Sequence, residues 1–362
     1  MDDRAKPASK GTVVISLAIV GYGYWGPNIV RIVRQTDHAT LKICCDSNPQ
    51  QLAVLSRKHP DVSTTLDFQD VLDDPAIQAV ILATPISTHH ALAKQALLHG
   101  KHVLVEKPMT DRLEDAVELN ELASVNRLTL MVNHTFLYSP PIIKIREIIQ
   151  SGELGKVFFI NMMRVNLGMH SSRSNVIWDL GAHDLSILSY WLNEQPSEIQ
   201  AFGRDCIAKG VHDVAYLNMR FPSGPVVNVN VSWLSPSKYR NTIIVGSRKM
   251  LVFDDTRNEE KIKIYDRGID VKPPDSFGEF QLTYRTGDIV IPALESKEPL
   301  SDMIAHFIDC VMHHKKPRSD GQNGLDVVRT LHFAMKSLRE NSGVQYLSDP
   351  WLAASESAMK VI

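Results

Sequence analysis

In the stretch WDLGAHDLS, Trp178–Ser186, an aspartate and a histidine stand four residues apart inside an apolar run. Titratable side chains in such a setting either open a helix or form the working end of an active site. Residues four apart at a helix start point the same way, so Asp179 and His183 share a face while Leu185, Leu188 and Leu192 pack behind. A histidine titrates near neutrality, which suits it to proton transfer. The plain alternative makes Asp179 an N-cap and His183 a first-turn residue. A second candidate is Lys107 in VEKPMT, which follows Glu106 at the end of an apolar strand. Pro108 stops the ladder there and aims the lysine along the carboxyl edge of the sheet, where open α/β folds bind ligands. In isolation it is equally a solvated strand-end lysine. The third is GYGYWG, in which Gly21, Gly23 and Gly26 fit G-x-G-x-x-G directly after an apolar strand ending at Val20 and before a helix with Pro27 in its first turn.

The elements that must position these groups are legible in the hydrophobic pattern. Thr12–Val20, Thr40–Cys45, Gln78–Thr84, His102–Glu106 and Leu128–Asn133 are short and nearly continuously apolar, as strands buried on both faces of a parallel sheet should be. Helical patterns over Pro27–Gln35, Pro49–Lys58, Thr88–His99 and Arg112–Val125 supply crossovers between them. After HTFLYSPP comes a helix around Ile142–Gln150, then alternating stretches such as KVFFINMMRVNLG, DVAYLNMRF, PVVNVNVSWL and NTIIVGSRKMLVFDD that predict antiparallel sheet. Val227, Val229, Val231 and Trp233 fall on one face, and Val226, Asn228, Asn230 and Ser232 on the other. Two terminal helical segments, Asp302–Met312 and Gly324–Glu340, close the chain over one face of that sheet. The expected fold class is α/β: an N-terminal Rossmann doubly wound parallel sheet over 12–133, then a C-terminal α+β domain over 134–362 on a large, mostly antiparallel sheet. Residues 1–11 read as a loose tail.

The chain has 362 residues, 44% hydrophobic and 22% charged, enough for about two domains with cores of their own. Its 39 basic and 41 acidic residues leave a net charge of -2 with no long single-sign block. Nucleic acid and membrane are therefore excluded as partners, and a small molecule is expected. Cys44, Cys45, Cys206 and Cys310 sit in or beside apolar segments without zinc-type spacing. They read as buried free thiols of a cytoplasmic protein, with no metal. The N-terminal MDDRAKPASKG lacks an apolar signal core, and no apolar run reaches membrane-span length.

In GYGYWG the glycines permit a tight turn and close backbone approach, so that a pyrophosphate sits on the helix N-terminus; a tight turn with no ligand is the alternative. The whole turn, with Tyr22, Tyr24 and Trp25 between the glycines, is assigned to the cofactor. Asp46 falls at the end of the second strand, twenty residues beyond Gly26. A carboxylate there accepts from ribose hydroxyls and repels a 2′-phosphate, so NAD is favoured over NADP; a plain turn residue is the alternative. In ATPISTHH, Thr84 and Pro85 end a strand, Ser87 or Thr88 caps the next helix, and His89 sits in its first turn, where by itself it reads as structural.

GxGxxG, the strand-end ATP…H, EKP, and D-x-x-x-H heading a helix in an α+β domain together resemble the Gfo/Idh/MocA oxidoreductases, the glucose-fructose oxidoreductase and inositol dehydrogenase family. The likeness covers nearly the whole chain after the tail. It implies an NAD(P) enzyme of sugars or cyclitols, with cofactor contacts from the glycine turn, Asp46, Thr84, Pro85, His89, Glu106 and Lys107. It also implies that Lys107, Asp179 and His183 meet at the reacting carbon, with a cis Lys107–Pro108 bond. His183 would then be the base on the substrate hydroxyl, Lys107 would polarise the same oxygen, and Asp179 would orient the sugar or the imidazole.

Many relatives carry a glycine-rich run ahead of the aspartate, whereas here RSNVIWDLGAHD places Asn175, Val176 and Trp178 there, which implies a different substrate wall. NHTFLYSP, SGELGKV, RVNLG and RSNVIWDLGAHDLSIL resemble the branch acting at C3 of nucleotide-linked hexoses. Arg164 and Asn166, on one strand face, and His134 and Arg173, flanking the cleft, are candidates for sugar hydroxyls or diphosphate; surface or interface pairing is the alternative for each. Three functions follow: a sugar-nucleotide 3-dehydrogenase of the UDP-N-acetylglucosamine type; a ketosugar reductase or a free sugar or inositol dehydrogenase; and a non-catalytic NAD-binding regulator. The resemblance also implies a homodimer or homotetramer formed through the outer sheet face.

Overall fold

The protein is described by a computed structural model that covers residues 14–168, 174–272 and 281–347. Two compact units are present. The first is built on six parallel strands, β1 (Ile15–Val20), β2 (Ala39–Cys45), β3 (Ser63–Thr65), β4 (Ala79–Leu82), β5 (His102–Glu106) and β6 (Leu130–Asn133), in the order β3-β2-β1-β4-β5-β6. The order reverses between β1 and β4, the switch point at which doubly wound sheets open a crevice at their carboxyl ends. Helices α1 (Gly26–Gln35), α2 (Pro49–Lys58), α3 (Phe68–Asp73), α4 (Ile86–Leu98) and α5 (Leu113–Val125) make the crossovers. Central β4 is buried along its length, as continuous apolar runs require when both faces are covered.

The second unit carries α6 (Pro140–Gln150), β7 (Val157–Leu167), α7 (Ala182–Leu192), β8 (Glu198–Arg204), β9 (Val214–Arg220), β10 (Val226–Ser232), β11 (Leu234–Gly246), β12 (Met250–Asp254), β13 (Ile262–Lys272) and β14 (Gln281–Val290). After α8 (Pro299–His313) and α9 (Gly321–Arg339), β15 (Gln345–Tyr346) completes a nine-stranded sheet, β14-β13-β12-β11-β7-β10-β9-β8-β15. Every pairing in it is antiparallel except β10 with β7. Val227, Val229, Val231 and Trp233 face the core as their alternation predicts. On the opposite face Phe159, Val226, Tyr216, Phe202 and Ile243 stay exposed.

Three expectations are corrected. The segment Leu300–Gly321, which includes most of α8, belongs to the first unit rather than to the second domain, and Thr110–Ala116 belongs to the second. The cause is edge pairing: the Val132 amide donates to the Ser319 carbonyl at 2.8 Å, the Ser319 hydroxyl returns a bond to Val132 O at 2.7 Å, and Met131 bridges Asp320. An otherwise open edge at β6 is thereby closed. Helix α4 starts at Ile86 with Pro85 at its N-cap, so neither Ser87 nor Thr88 caps it. Thr88 instead donates within the first turn to Pro85 O at 2.7 Å. Cys206 is exposed, unlike the other three thiols. The expected tail, 1–11, lies outside the described residues, among which no helix is long and apolar enough to cross a membrane.

Candidate active site

The three glycines of GYGYWG serve three physical purposes. Gly21 has φ +96°, and a Cβ on it would lie 2.5 Å from the Ala83 carbonyl oxygen. A Cβ on Gly26 would lie 2.7 Å from Gly21 O, so turn and helix can approach only without one. A Cβ on Gly23 would meet nothing within 4 Å. Gly21 and Gly26 thus answer to the chain's own packing, and Gly23 leaves open backbone where a pyrophosphate needs close approach. No side chain caps α1 and no acidic residue occupies its first turn, so its amide dipole is left to an anion. The residues present fit NAD.

Asp46 is tied to this turn. Its Oδ2 accepts from the Tyr22 amide at 2.6 Å and its Oδ1 from the Asn48 amide at 2.7 Å, so the carboxylate holds the glycine turn and the entry to α2 in place. Each oxygen keeps a second lone pair for a ribose hydroxyl. Tyr22 enters the site through its amide alone, because its ring is 1% exposed and buried in the core; Tyr24 and Trp25 are the turn's exposed side chains. Asp46→Ser is expected to move the ratio of NAD to NADP dissociation constants by about tenfold toward NADP. The ratio, read by calorimetric titration, isolates the ribose contact from the loss of the Tyr22 bond, which weakens both cofactors alike. An unchanged ratio would remove Asp46 from the discrimination.

Lys107 stands at the carboxyl end of β5, and the Lys107–Pro108 peptide is cis. His89 is fully buried beneath it, with Nδ1 3.0 Å from Pro108 O and Nε2 2.8 Å from Thr84 O. Both ring nitrogens lie within hydrogen-bond distance of main-chain carbonyls, so the ring bridges the strand end carrying Thr84 and the one carrying Lys107. Glu106 is likewise turned inward, with Oε1 accepting from the Asn133 side-chain amide and Oε2 from the Lys107 amide at 3.3 Å. Burial pushes its carboxyl up to about 7, against the opposing pull of Asn133 and of the Lys107 charge.

In the second unit, Asp179 lies in a π turn, Ile177–Gly181, that leads into α7. Residues four apart in an α-helix stand about 40° out of line, and the wider π turn takes up part of that offset between Asp179 and His183. Asp179 is not the cap of this helix. Asn175 performs that task, its Oδ1 accepting from the amides of Ile177 at 3.0 Å and Trp178 at 3.2 Å. The Asp179 carboxylate accepts from Trp233 Nε1 at 3.1 Å, across from β10. His183 packs edge-on against Phe136, with centroids 4.9 Å apart and ring planes at 76°.

Arg164 is neither a free diphosphate ligand nor a surface pair. Its exposure is 6%, and Nε and Nη2 grip Asp184 at 2.7–3.0 Å. Removing either partner alone would leave a buried charge uncompensated, at about 3–5 kcal/mol. His134 is buried and Asn166 partly so, and Arg173 lies outside the described residues. Phe136, Asp184 and Asn133 were not singled out from the sequence, and Trp233 was read only as a core-facing residue. Asp184 carried a usable signal: a charge inside the apolar run DLSILSYWL, which a buried helix face tolerates only with a partner.

The family described as oxidoreductase family, NAD-binding Rossmann fold (GFO_IDH_MocA) matches residues 15–134, and the GFO/IDH/MocA C-terminal domain matches 142–252. The scyllo-inositol 2-dehydrogenase (NAD(+)) of Bacillus subtilis is 25% identical, over 84% of this chain and 86% of its own. Among solved structures, UDP-N-acetylglucosamine 3-dehydrogenase GnnA from Acidithiobacillus ferrooxidans superposes with a TM-score of 0.74 at 23% identity, covering 88% of this chain and 96% of its own. GenD2 from gentamicin A biosynthesis, in complex with NAD, has a TM-score of 0.78 at 20% identity, covering 95% and 99%.

Proposed function

Because this chain belongs to the Gfo/Idh/MocA family of NAD-dependent sugar and polyol oxidoreductases, we propose that it oxidises the C3 hydroxyl of a nucleotide-activated hexose of the UDP-N-acetylglucosamine type to a 3-keto sugar. The observation that carries the oxidation is that each group it needs is held by a support of its own. Lys107 stands on a strand end locked by His89, Asp179 is bonded by Trp233, and His183 lies against Phe136. NAD, when bound, accepts the hydride. The glycine turn and Asp46 hold the cofactor. Lys107 polarises the hydroxyl oxygen and His183 takes its proton, so that hydride and proton leave one carbinol together. Asp179 orients the sugar or the imidazole.

The choice of a nucleotide sugar rests on the likeness of NHTFLYSP and RSNVIWDLGAHDLSIL to that branch, and on the activity named for GnnA. The inositol dehydrogenase relative favours a second reading, oxidation of a free cyclitol. The deciding experiment offers UDP-N-acetylglucosamine, other nucleotide sugars, free sugars and inositols in turn with NAD, adding 2-oxoglutarate to catch a recycled cofactor. Turnover confined to nucleotide sugars supports the first reading, and turnover with inositol the second. Silence throughout, with NAD demonstrably bound, would reject sugar oxidation by this chain. The exposed apolar residues on the outer face of the nine-stranded sheet support a homodimer or homotetramer. Light scattering is expected to return two or four times 40.6 kDa, and a single multiple would refute the assembly.

A further inference from the structure

We propose that Phe136 is a positioning residue for His183: its ring, held by two guanidinium groups, fixes the plane of the imidazole. The inference rests on the reading of His183 as the base. Helix α7 sets the backbone of His183, but the second torsion of a histidine side chain is broad, and a base works only while its nitrogen stays aimed at the proton it removes. An edge-on aromatic contact restrains that torsion without using a ring nitrogen.

Phe136 is built to supply such a contact. It sits in a 3-10 turn, Thr135–Tyr138, anchored by the buried Leu137 and Tyr138 and closed by the Ser139 amide donating to Phe136 O at 3.0 Å. The guanidinium carbon of Arg164 stands over its ring at 4.7 Å from the centroid, and that of Arg240 at 5.5 Å. A cation over an aromatic face holds the ring in place. Both cations are themselves pinned, Arg164 by Asp184 and Arg240 by Asp255 at 3.3 Å, with Asp255 also taking Lys261 at 3.2 Å. Asp184 follows His183 directly in α7. The same helical turn therefore carries the base and the anchor of its brace, and a displacement of α7 moves both together. Opposite charges accompany each arginine, so the brace restrains the imidazole without setting a bare cation beside it.

Phe136→Leu, Phe136→Tyr, His183→Asn and the Phe136→Leu/His183→Asn pair in the full chain test this, by kcat with NAD and whichever sugar of the panel turns over. Histidine-labelled NMR accompanies the kinetics, with the His183 ring signals identified by their loss in His183→Asn. Phe136→Leu is expected to lower kcat about tenfold with the KM for NAD unchanged, and Phe136→Tyr to recover it to within about twofold. In the His183→Asn background Phe136→Leu is expected to cost nothing further. The His183 ring signals shift in Phe136→Leu and hold their place in Phe136→Tyr. Equal losses from Phe136→Leu in both backgrounds, with His183→Asn slow, would overturn the brace alone. A His183→Asn enzyme at the parental rate would overturn the base assignment and the brace with it.

Discussion

Lys107→Ala is expected to lower kcat about a thousandfold or more while the dissociation constant for NAD stays within about twofold. As the base draws off the proton, negative charge gathers on the hydroxyl oxygen until the hydride departs, and a fixed ammonium stabilises that charge. The fold supports the placement. Lys107 follows β5 beside the buried His89, whose ring nitrogens lie 3.0 Å from Pro108 O and 2.8 Å from Thr84 O. Truncating the lysine leaves that lock intact, so the protein should fold and bind cofactor normally. The seat proposed for the pyrophosphate is the glycine turn after β1 rather than β5. Steady-state kinetics together with calorimetric NAD titration separate the two effects. A kcat within tenfold of the parent would take Lys107 out of the chemistry, and a parallel loss of NAD affinity would make it a cofactor contact first.

The second large effect concerns two glycines only two residues apart, yet opposite in kind. Gly21→Ala is expected to destabilise the protein by about 2–4 kcal/mol, because φ +96° is strained for alanine and the new methyl meets Ala83 O at 2.5 Å. With the turn displaced, NAD binding should fall beyond measurement. Gly23→Ala meets no protein atom within 4 Å, so its melting temperature should match the parent while NAD affinity drops about a hundredfold. Thermal melts with and without NAD distinguish the two: Gly21→Ala melts early in both, and Gly23→Ala loses only the shift that the ligand confers. A Gly23→Ala protein with parental affinity would show that no pyrophosphate approaches the backbone there.

How far the site was legible follows from what each residue answers to. The glycine turn, Asp46 just past β2 and Lys107 just past β5 stand where motif and strand boundary put them, although the contacts that hold them, Ala83 against Gly21 and Tyr22 on Asp46, come from elsewhere in the chain. Asn175 was harder to read, because a polar residue ahead of a helix suits a substrate contact or a cap, and the structure adds the cap. For His89, a lone first-turn histidine reads as structural while the family likeness assigns it to the cofactor, and the structure sets its ring between carbonyls of two separate strand ends.

Arg164 marks the boundary between the two kinds of knowledge. Strand alternation placed it on one face of β7 with Asn166, but nothing in that alternation names Asp184, twenty residues on, as the charge that holds it. Nor does any periodicity point from Asp179 to Trp233, fifty-four residues away, or join Ser319 to the edge of β6. The parallel and antiparallel sheets, the cofactor turn and the residues offered for chemistry were legible along the chain, because hydrophobic period and strand ends are properties of neighbouring residues. Which offered side chains are spent on one another emerged with the packed fold, because a buried charge or donor must find its partner among whatever the folded chain brings within hydrogen-bond reach.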